Sequence, residues 1–266
     1  MEKLNIDEAL PVAELSRLGL YKDGKHLLSS DDITALLAGR RTSLVNLKNL
    51  IGEAFTIESL DVKLSLHHSE RWGDEIMLHP IYKDITLAKG MTEEELWPIL
   101  TGEMTNLVKI VNNPETRTDQ TLVFEYDGET KEFISYDPLK VIVPFQVNGE
   151  KLDIKQRQDF AHGKIVELSD GTKFQYMSSL PKGIVSSRSA LILAMSDNRQ
   201  SPRFLLEGLA PLIVSSVQEQ PFSPAFEAAF LEMRKSEGIQ AEDRLQIELD
   251  DLKNDYHSPL GLGALR

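Results

Sequence analysis

The sequence predicts an α+β protein built from repeated helix–Gly–strand–hairpin (αββ-type) modules with antiparallel sheets, followed by a helical C-terminal region. Three observations lead to this class. A short capped helix comes before a glycine and an apolar run at three places, where the glycines are Gly39, Gly102 and Gly163. Asp-Gly pairs at 127–128 and 170–171 separate strand-like runs, which is typical of hairpin turns. In the last third of the chain the apolar residues recur at helical spacing.

The segment KLDIKQRQDFAHGKIVELSDGTKFQYM shows the module most clearly. Asp153 can accept hydrogen bonds from the first free amides of a helix, and Gln156 lies three residues on, where its side chain can reach back. Gly163 supplies the left-handed conformation that ends the helix. Phe174 and Tyr176 are two residues apart, so both rings lie on one face of the returning strand.

Two upstream segments, SSDDITALLAGRRTSLV and TEEELWPILTGEMTNLV, follow the same outline. The three glycines are about 60 residues apart, which indicates a recurring supersecondary unit. Thr92 and Glu95 form a capping box at the start of the second copy. Trp97 lies inside that helix, and we interpret it as a core residue.

The chain is predicted to have three parts. These are an N-terminal α+β module over 1–90, a second α+β part with two helix–hairpin units over 91–187, and a helical C-terminal region over 188–266. The stretch PKGIVSSRSA, which is rich in proline, glycine and serine, separates the last two parts. Other predicted elements are a helix over 6–18, a strand over 55–67 that pairs with 75–83, and C-terminal helices over 191–195, 204–217, 224–238 and 241–256.

The composition excludes several classes of protein. The 266 residues contain no cysteine, which rules out disulfides, thiolate nucleophiles and cysteine-bound metal centres. The N-terminal stretch MEKLNIDEALPVAEL lacks the basic and apolar regions of a signal peptide, so we predict a cytoplasmic protein. The apolar run at 204–217 contains Glu207 and Pro211 and is shorter than the roughly 20 residues that a bilayer requires, so no membrane association is predicted.

The charge balance bears on possible partners. The chain carries 42 acidic against 29 basic residues, a net charge of −13. Such a charge repels a phosphate backbone, so nucleic-acid binding is disfavoured. An acidic surface can also imitate nucleic acid, and an inhibitor of that kind stays open as an alternative function.

One hairpin concentrates possible metal ligands, namely His67, His68, Glu70, Asp74 and His79. A hairpin could bring His67 and His79 opposite one another, and only one of the adjacent His67 and His68 can join His79 because they point to opposite faces of the strand. Two histidines and a carboxylate would make an open site of the catalytic type, as in a metal-dependent hydrolase or nuclease. A polar surface hairpin is the plainer explanation.

Common catalytic motifs are absent from the sequence. It contains no G-x-S-x-G, no G-x-x-x-x-G-K-[ST], no G-x-G-x-x-G and no H-E-x-x-H. We therefore assign no catalytic, cofactor-binding or metal residue and no cofactor, and the sequence favours a protein that is not an enzyme.

Three stretches carry a resemblance to known proteins: LYKDGKHLLSSDDITALLAGRRTSLVNL, LDVKLSLHHSERWGDEIMLHPIYKD and GEKLDIKQRQDFAHGKIVELSDGTKFQYM. Over about residues 10–187 the chain resembles domains of unknown function that occur in Bacteroidota, often encoded on conjugative and other mobile elements. The shared motifs belong to the scaffold, and the resemblance implies no catalytic residue.

The function predicted from the sequence is a non-enzymatic binding or adaptor protein of a bacterial mobile element or secretion apparatus, with a protein partner bound through the C-terminal helices. In the last helix Leu245, Leu249 and Leu252 line one side. We expect this side to pack on the protein's own domain, with docking on a partner groove as the alternative. The metal-dependent hydrolase or nuclease that uses His67 and His79 and the acidic nucleic-acid mimic are the alternative functions.

Overall fold

The computed structural model describes residues 6–51, 56–69, 73–113, 118–196, 202–212, 222–239 and 242–257. The chain forms two compact units. Unit 1 comprises Met1–Val141 and Met177–Gly183, and unit 2 comprises Ile142–Tyr176 and Ile184–Arg266. The division at residues 90 and 187 stays a prediction.

Helices and mainly antiparallel sheets make up both units, so the predicted α+β class is confirmed. The α-helices of the described residues are α1 (Ile6–Ala9), α2 (Val12–Arg17), α3 (Ser30–Leu37), α4 (Glu93–Leu100), α5 (Ile154–Ala161), α6 (Pro224–Ser236) and α7 (Glu242–His257), and Pro138–Lys140 form a short 3-10 helix. The strands are β1 (Tyr21–Lys22), β2 (Lys25–His26), β3 (Val45–Ile51), β4 (Thr56–Ser69), β5 (Gly73–Pro80), β6 (Leu107–Asn113), β7 (Thr118–Asp127), β8 (Glu132–Tyr136), β9 (Gln146–Val147), β10 (Glu150–Lys151), β11 (Val166–Glu167), β12 (Lys173–Tyr176), β13 (Ile184–Ser186), β14 (Ala190–Ala194), β15 (Arg203–Glu207) and β16 (Ala210–Pro211).

The three predicted helix–glycine steps are present, and they share one design. Helices α3, α4 and α5 are each 8 residues long and can be aligned without a gap. Each begins after a capping residue and ends at a glycine with positive φ, which a residue with a Cβ adopts only with strain. The caps are Ser29, Thr92 and Asp153, and the glycines are Gly39 (φ 69°), Gly102 (φ 77°) and Gly163 (φ 64°).

The first sheet of unit 1 has the order β3-β4-β5 and separates an apolar face from a polar one. Leu47, Val62 and Leu64 are buried in a core with residues of α2 and α3. Lys63 and His79 are direct neighbours on the opposite face.

The predicted strands over 55–67 and 75–83 are present as β4 and β5. The predicted helix over 6–18 is split into α1 and α2, because Pro11 has no N–H to continue a helix.

The second sheet of unit 1 has the order β6-β7-β8, and the predicted hairpin across residues 127–128 joins β7 to β8. Residues 82–86 run along the outer edge of β8. Thr86 forms a parallel bridge with Glu132, and the N–H of Phe133 donates to the carbonyl of Thr86 at 2.8 Å. The edge of β8 is therefore covered by the protein itself, as natural sheets require.

Unit 2 contains two four-stranded sheets, with the orders β10-β9-β14-β15 and β11-β12-β13-β16. One strand pair, β13 with β16 in unit 2, is parallel. Helix α5 packs on β11 and β12. The ring of Phe160 lies 5.7 Å from the rings of both Phe174 and Tyr176, measured between centroids. The prediction that these two rings share one face of the returning strand is confirmed.

The start of the C-terminal region differs from the prediction. Residues 191–195 and 204–217 are predicted as helices, but β14 and β15 occupy these positions and pair over five residues. All five residues of β14 are buried, and a short apolar run that is buried on both faces suits a strand as well as a helix. Residues 213–217 of the second predicted helix lie outside the described residues.

The two predicted helices at the end of the chain are present as α6 and α7. Leu249 of α7 is buried in a core with Phe226, Phe230 and Met233 of α6. An ion pair between Lys253 Nζ and Glu227 Oε1 at 2.7 Å joins the two helices. The expectation that the apolar side of α7 packs on its own domain is confirmed.

Candidate functional site

The predicted histidine hairpin is formed by β4 and β5, but its register differs from the prediction. His67 lies opposite Glu75, and His79 lies opposite Lys63. The two histidines are thus four residues apart along the sheet, or about 13 Å. The predicted opposition of His67 and His79 is wrong, and Glu70 lies outside the described residues.

His79 is engaged in hydrogen bonds on both sides of its ring. Its Nε2 lies 2.8 Å from the Ser65 hydroxyl, and its Nδ1 lies 3.0 Å from the Arg41 guanidinium. Nδ1 also lies 3.5 Å from Oε2 of Glu132, so both ring nitrogens contact polar groups of the protein. In the part of the chain that the structure describes, no three His, Asp or Glu side chains come together as metal ligands.

Next to His79 lies a group that we name the buried ionic cluster: the buried Arg41, Lys63 and Asp127, with the half-buried Glu132 and the exposed Glu129. Lys63 is fully buried at its centre. Its ammonium group lies 2.9 Å from Asp127 Oδ1, 2.8 Å from Glu129 Oε2 and 2.8 Å from the carbonyl oxygen of Ser179. An ammonium group has three donors, so Lys63 is fully satisfied by the protein.

Arg41 completes the cluster from the loop after α3. Its guanidinium lies 3.3 Å from Asp127 Oδ2 and 2.8 Å from Glu132 Oε2, and it also donates to the Thr130 hydroxyl at 3.2 Å. These contacts join that loop to the hairpin between β7 and β8. Because the charged groups are engaged with one another, the cluster can support the fold.

Glu125 is buried beside the cluster, two residues before Asp127 on β7. Its Oε1 accepts a hydrogen bond from the backbone N–H of Ser179 at 2.6 Å. Burial raises the pKa of the Glu125 carboxyl to about 7, because the loss of water outweighs the hydrogen bonds from Ser179 and Ser178. This group therefore changes its charge near neutral pH.

Helix α4 presents a second unusual feature, which the sequence analysis missed. Trp97 is 63 % exposed, so its assignment to the core is wrong. Two residues that are three or four positions apart in the sequence lie on the same side of a helix. We name this side the Trp97 face and define it by Glu93, Glu94, Trp97 and Leu100. Glu93 and Glu94 are exposed, and Leu100 is half-buried.

The opposite side of α4 is fixed to the second sheet. Lys109 Nζ of β6 lies 2.9 Å from Glu95 Oε1 and 2.8 Å from the carbonyl oxygen of Gly90. The hydrogen bond from Lys109 lowers the pKa of the Glu95 carboxyl. Ile99 is buried. The helix is therefore held in one orientation, with Trp97 directed away from the core.

The other two copies of the module show that the fold does not require a tryptophan at this position. Each of α3, α4 and α5 buries its seventh residue, which is Leu36, Ile99 or Phe160. The fifth residue is exposed in all three helices, and it is Thr34 in α3 and Gln158 in α5. An alignment of the three copies in the sequence contains this signal, because only the second copy has a large apolar residue where the others are polar.

Comparisons with known proteins identify one matching region. A family described as a protein of unknown function (DUF4099) matches residues 7–90, which include α1 to β5. This supports a domain of unknown function over a shorter range than the resemblance noted above. No curated protein and no solved structure matches the chain. None of the described helices is both long and apolar enough to cross a membrane.

Proposed function

We propose that this chain is a non-enzymatic binding or adaptor protein that acts through protein–protein contacts at the Trp97 face. The observation that carries the proposal is the 63 % exposure of Trp97 on a helix whose two counterparts carry polar residues at the same position. Tryptophan is enriched among the residues that dominate binding energy at protein interfaces. A tryptophan that contributes little to its own fold is well placed for that role.

Two further observations support a binding role. The buried ionic cluster has its charged groups engaged within the protein, which suits a structural role for these ionisable residues. The apolar side of α7 is covered by α6, which favours α4 over the C-terminal helices as the contact with a partner.

The setting that we propose is the cytoplasm of a bacterium, as part of a mobile element or secretion apparatus. The match over residues 7–90 supports a domain of unknown function in this part of the chain. The resemblance of the scaffold motifs to domains that mobile elements of Bacteroidota encode supports the setting.

Position-specific photo-crosslinking tests the proposal. A photoreactive amino acid replaces Trp97 in the full chain, which is expressed in its native host and irradiated. Matched controls carry the same amino acid at Thr34 or Gln158, the equivalent exposed positions of α3 and α5. We expect one stoichiometric protein adduct from position 97 and none from the controls. Equal labelling from all three positions, or no adduct from position 97, would contradict the proposal.

A further inference from the structure

The Trp97 face also indicates the chemistry of the partner, an inference that rests on the proposed function. We propose that it binds a cationic segment of a partner protein, with an arginine or lysine side chain over the ring of Trp97 and its charge beside Glu93 and Glu94. Tryptophan is the best of the aromatic side chains for binding a cation over its face. Arginine combines this contact with stacking of its planar group.

The chain segment that carries Trp97 contains charges of one sign. From Met91 to Asn106 the sequence contains four glutamates and no lysine, arginine or histidine. Glu95 is paired with Lys109, at 2.9 Å. Among the described residues neither Glu93 nor Glu94 has an ion-pair partner. The face therefore combines an exposed aromatic ring with two carboxylates that no cation of the described chain balances.

The repeat provides an internal control for this argument. The residue equivalent to Glu94 is Asp31 in α3 and Lys155 in α5. Asp31 is paired with Lys182 at 3.5 Å, and Lys155 is paired with Asp159 at 2.6 Å. Only in α4 does the charged residue at this position lack a partner among the described residues. The same position is thus satisfied within the protein in two copies and is open in the copy that carries the tryptophan.

The charge also discriminates between partners. A base of a single-stranded nucleic acid can stack on a tryptophan, but a binding site for its backbone is positively charged. Carboxylates at three and four residues before Trp97 repel a phosphate instead. A basic protein segment satisfies both the ring and the carboxylates.

The first test uses the full chain and a fluorescein-labelled peptide of alternating arginine and serine, measured by fluorescence anisotropy. The control peptide has citrulline, which is neutral and nearly isosteric, in place of arginine. We expect saturable binding of the arginine peptide that weakens as salt is raised, and binding of the citrulline peptide that is at least about tenfold weaker. Equal binding of the two peptides, or none of either, would overturn the inference.

Variants then locate the binding. Trp97→Ala is expected to weaken binding at least about tenfold, and Glu93→Gln with Glu94→Gln about fivefold. The matched control is Asp250→Asn with Asp251→Asn, which removes two exposed charges of α7. In a Trp72→Phe chain, Trp97 is the remaining tryptophan, and its emission should change on binding. If the peptide affinity falls as much in the α7 control as in the α4 variants, the effect of charge is nonspecific and the inference is overturned.

Two outcomes separate this inference from the function on which it rests. If crosslinking at position 97 captures a partner that binds the Glu93→Gln, Glu94→Gln chain unchanged, the binding function stands and the cationic occupant is wrong. Arg157 is an exposed arginine of α5. If sedimentation instead shows a dimer that is lost in both Trp97→Ala and Arg157→Ala, the occupant is this arginine of a second copy, and the separate partner is wrong.

Discussion

The buried ionic cluster and the Trp97 face are two places in unit 1 where residues are found against their usual preference. Lys63 is a charged residue that is fully buried, and Trp97 is a large apolar residue that is 63 % exposed. Their surroundings differ in one respect. The ammonium group of Lys63 meets an acceptor with each of its donors, whereas Glu93 and Glu94 beside Trp97 have no ion-pair partner among the described residues.

This contrast indicates how to assign a role to an unusual residue. A buried charge is costly unless it is paired, so a cluster in which the charges are paired can persist as part of the fold. Trp97, in contrast, leaves most of its side chain in contact with water. The first kind of residue should therefore control stability, and the second should control binding.

Lys63→Met should give the largest loss of stability. It leaves the buried carboxylate of Asp127 without one of its two cations, and breaking a buried pair costs about 3 to 5 kcal/mol. Urea unfolding followed by circular dichroism measures the change in the free energy of unfolding. Lys155→Met is the matched control, because this lysine side chain is 83 % exposed and an exposed ion pair contributes little to stability. A loss below about 1 kcal/mol for Lys63→Met would show that the cluster is dispensable.

Ile99→Ala tests the buried side of the helix that carries the exposed Trp97. It removes a buried side chain of α4, and substitutions of this kind cost about 2 to 5 kcal/mol. Leu36→Ala and Phe160→Ala should behave in the same way, because they change the equivalent position of α3 and α5. The same urea measurement applies. If one of the three variants loses almost no free energy of unfolding while the other two lose much more, the alignment of the modules is incorrect.

Glu125→Gln tests the electrostatics beside the cluster. The pKa of Glu125 is raised to about 7 in the folded protein, so its contribution to stability is fully present below its unfolded pKa and is lost as the pH rises through about 7. The wild-type chain should lose up to about 3 kcal/mol between pH 5 and pH 8 from this group. The variant should lack that loss, so its stability relative to wild type should rise with pH. If the difference in the free energy of unfolding between wild type and Glu125→Gln stays constant from pH 5 to pH 8, this account is contradicted.

The sequence predicts the helix–glycine steps well because their determinants are local. Asp153, Gln156 and Gly163 lie within eleven residues, and each acts on the backbone next to it. The hairpins between β4 and β5 and between β7 and β8 follow from alternating apolar residues and turn residues, which are also local.

The remaining features depend on contacts that are distant in the sequence. The run at 191–194 forms a strand because β9 and β15 pair with it, and the run alone does not distinguish a buried strand from a helix. Arg41, Lys63 and Asp127 come together only when the first sheet meets the β7–β8 hairpin. The exposure of Trp97 depends on which side of α4 faces the sheet. The nucleic-acid mimic stays a prediction, because a net charge gives no position on the surface.

One substitution, Trp97→Thr, is expected to have the smallest effect on stability and the largest effect on binding. It gives α4 the residue that α3 carries at the equivalent position. The decisive experiment makes two measurements on the tagged Trp97→Thr chain. The first is the amount of stoichiometric partner that it captures in the native host, and the second is its free energy of unfolding. The account predicts that the partner is lost while the free energy of unfolding changes by less than about 0.5 kcal/mol. Retention of the partner, or a loss of more than about 2 kcal/mol of stability, would contradict it.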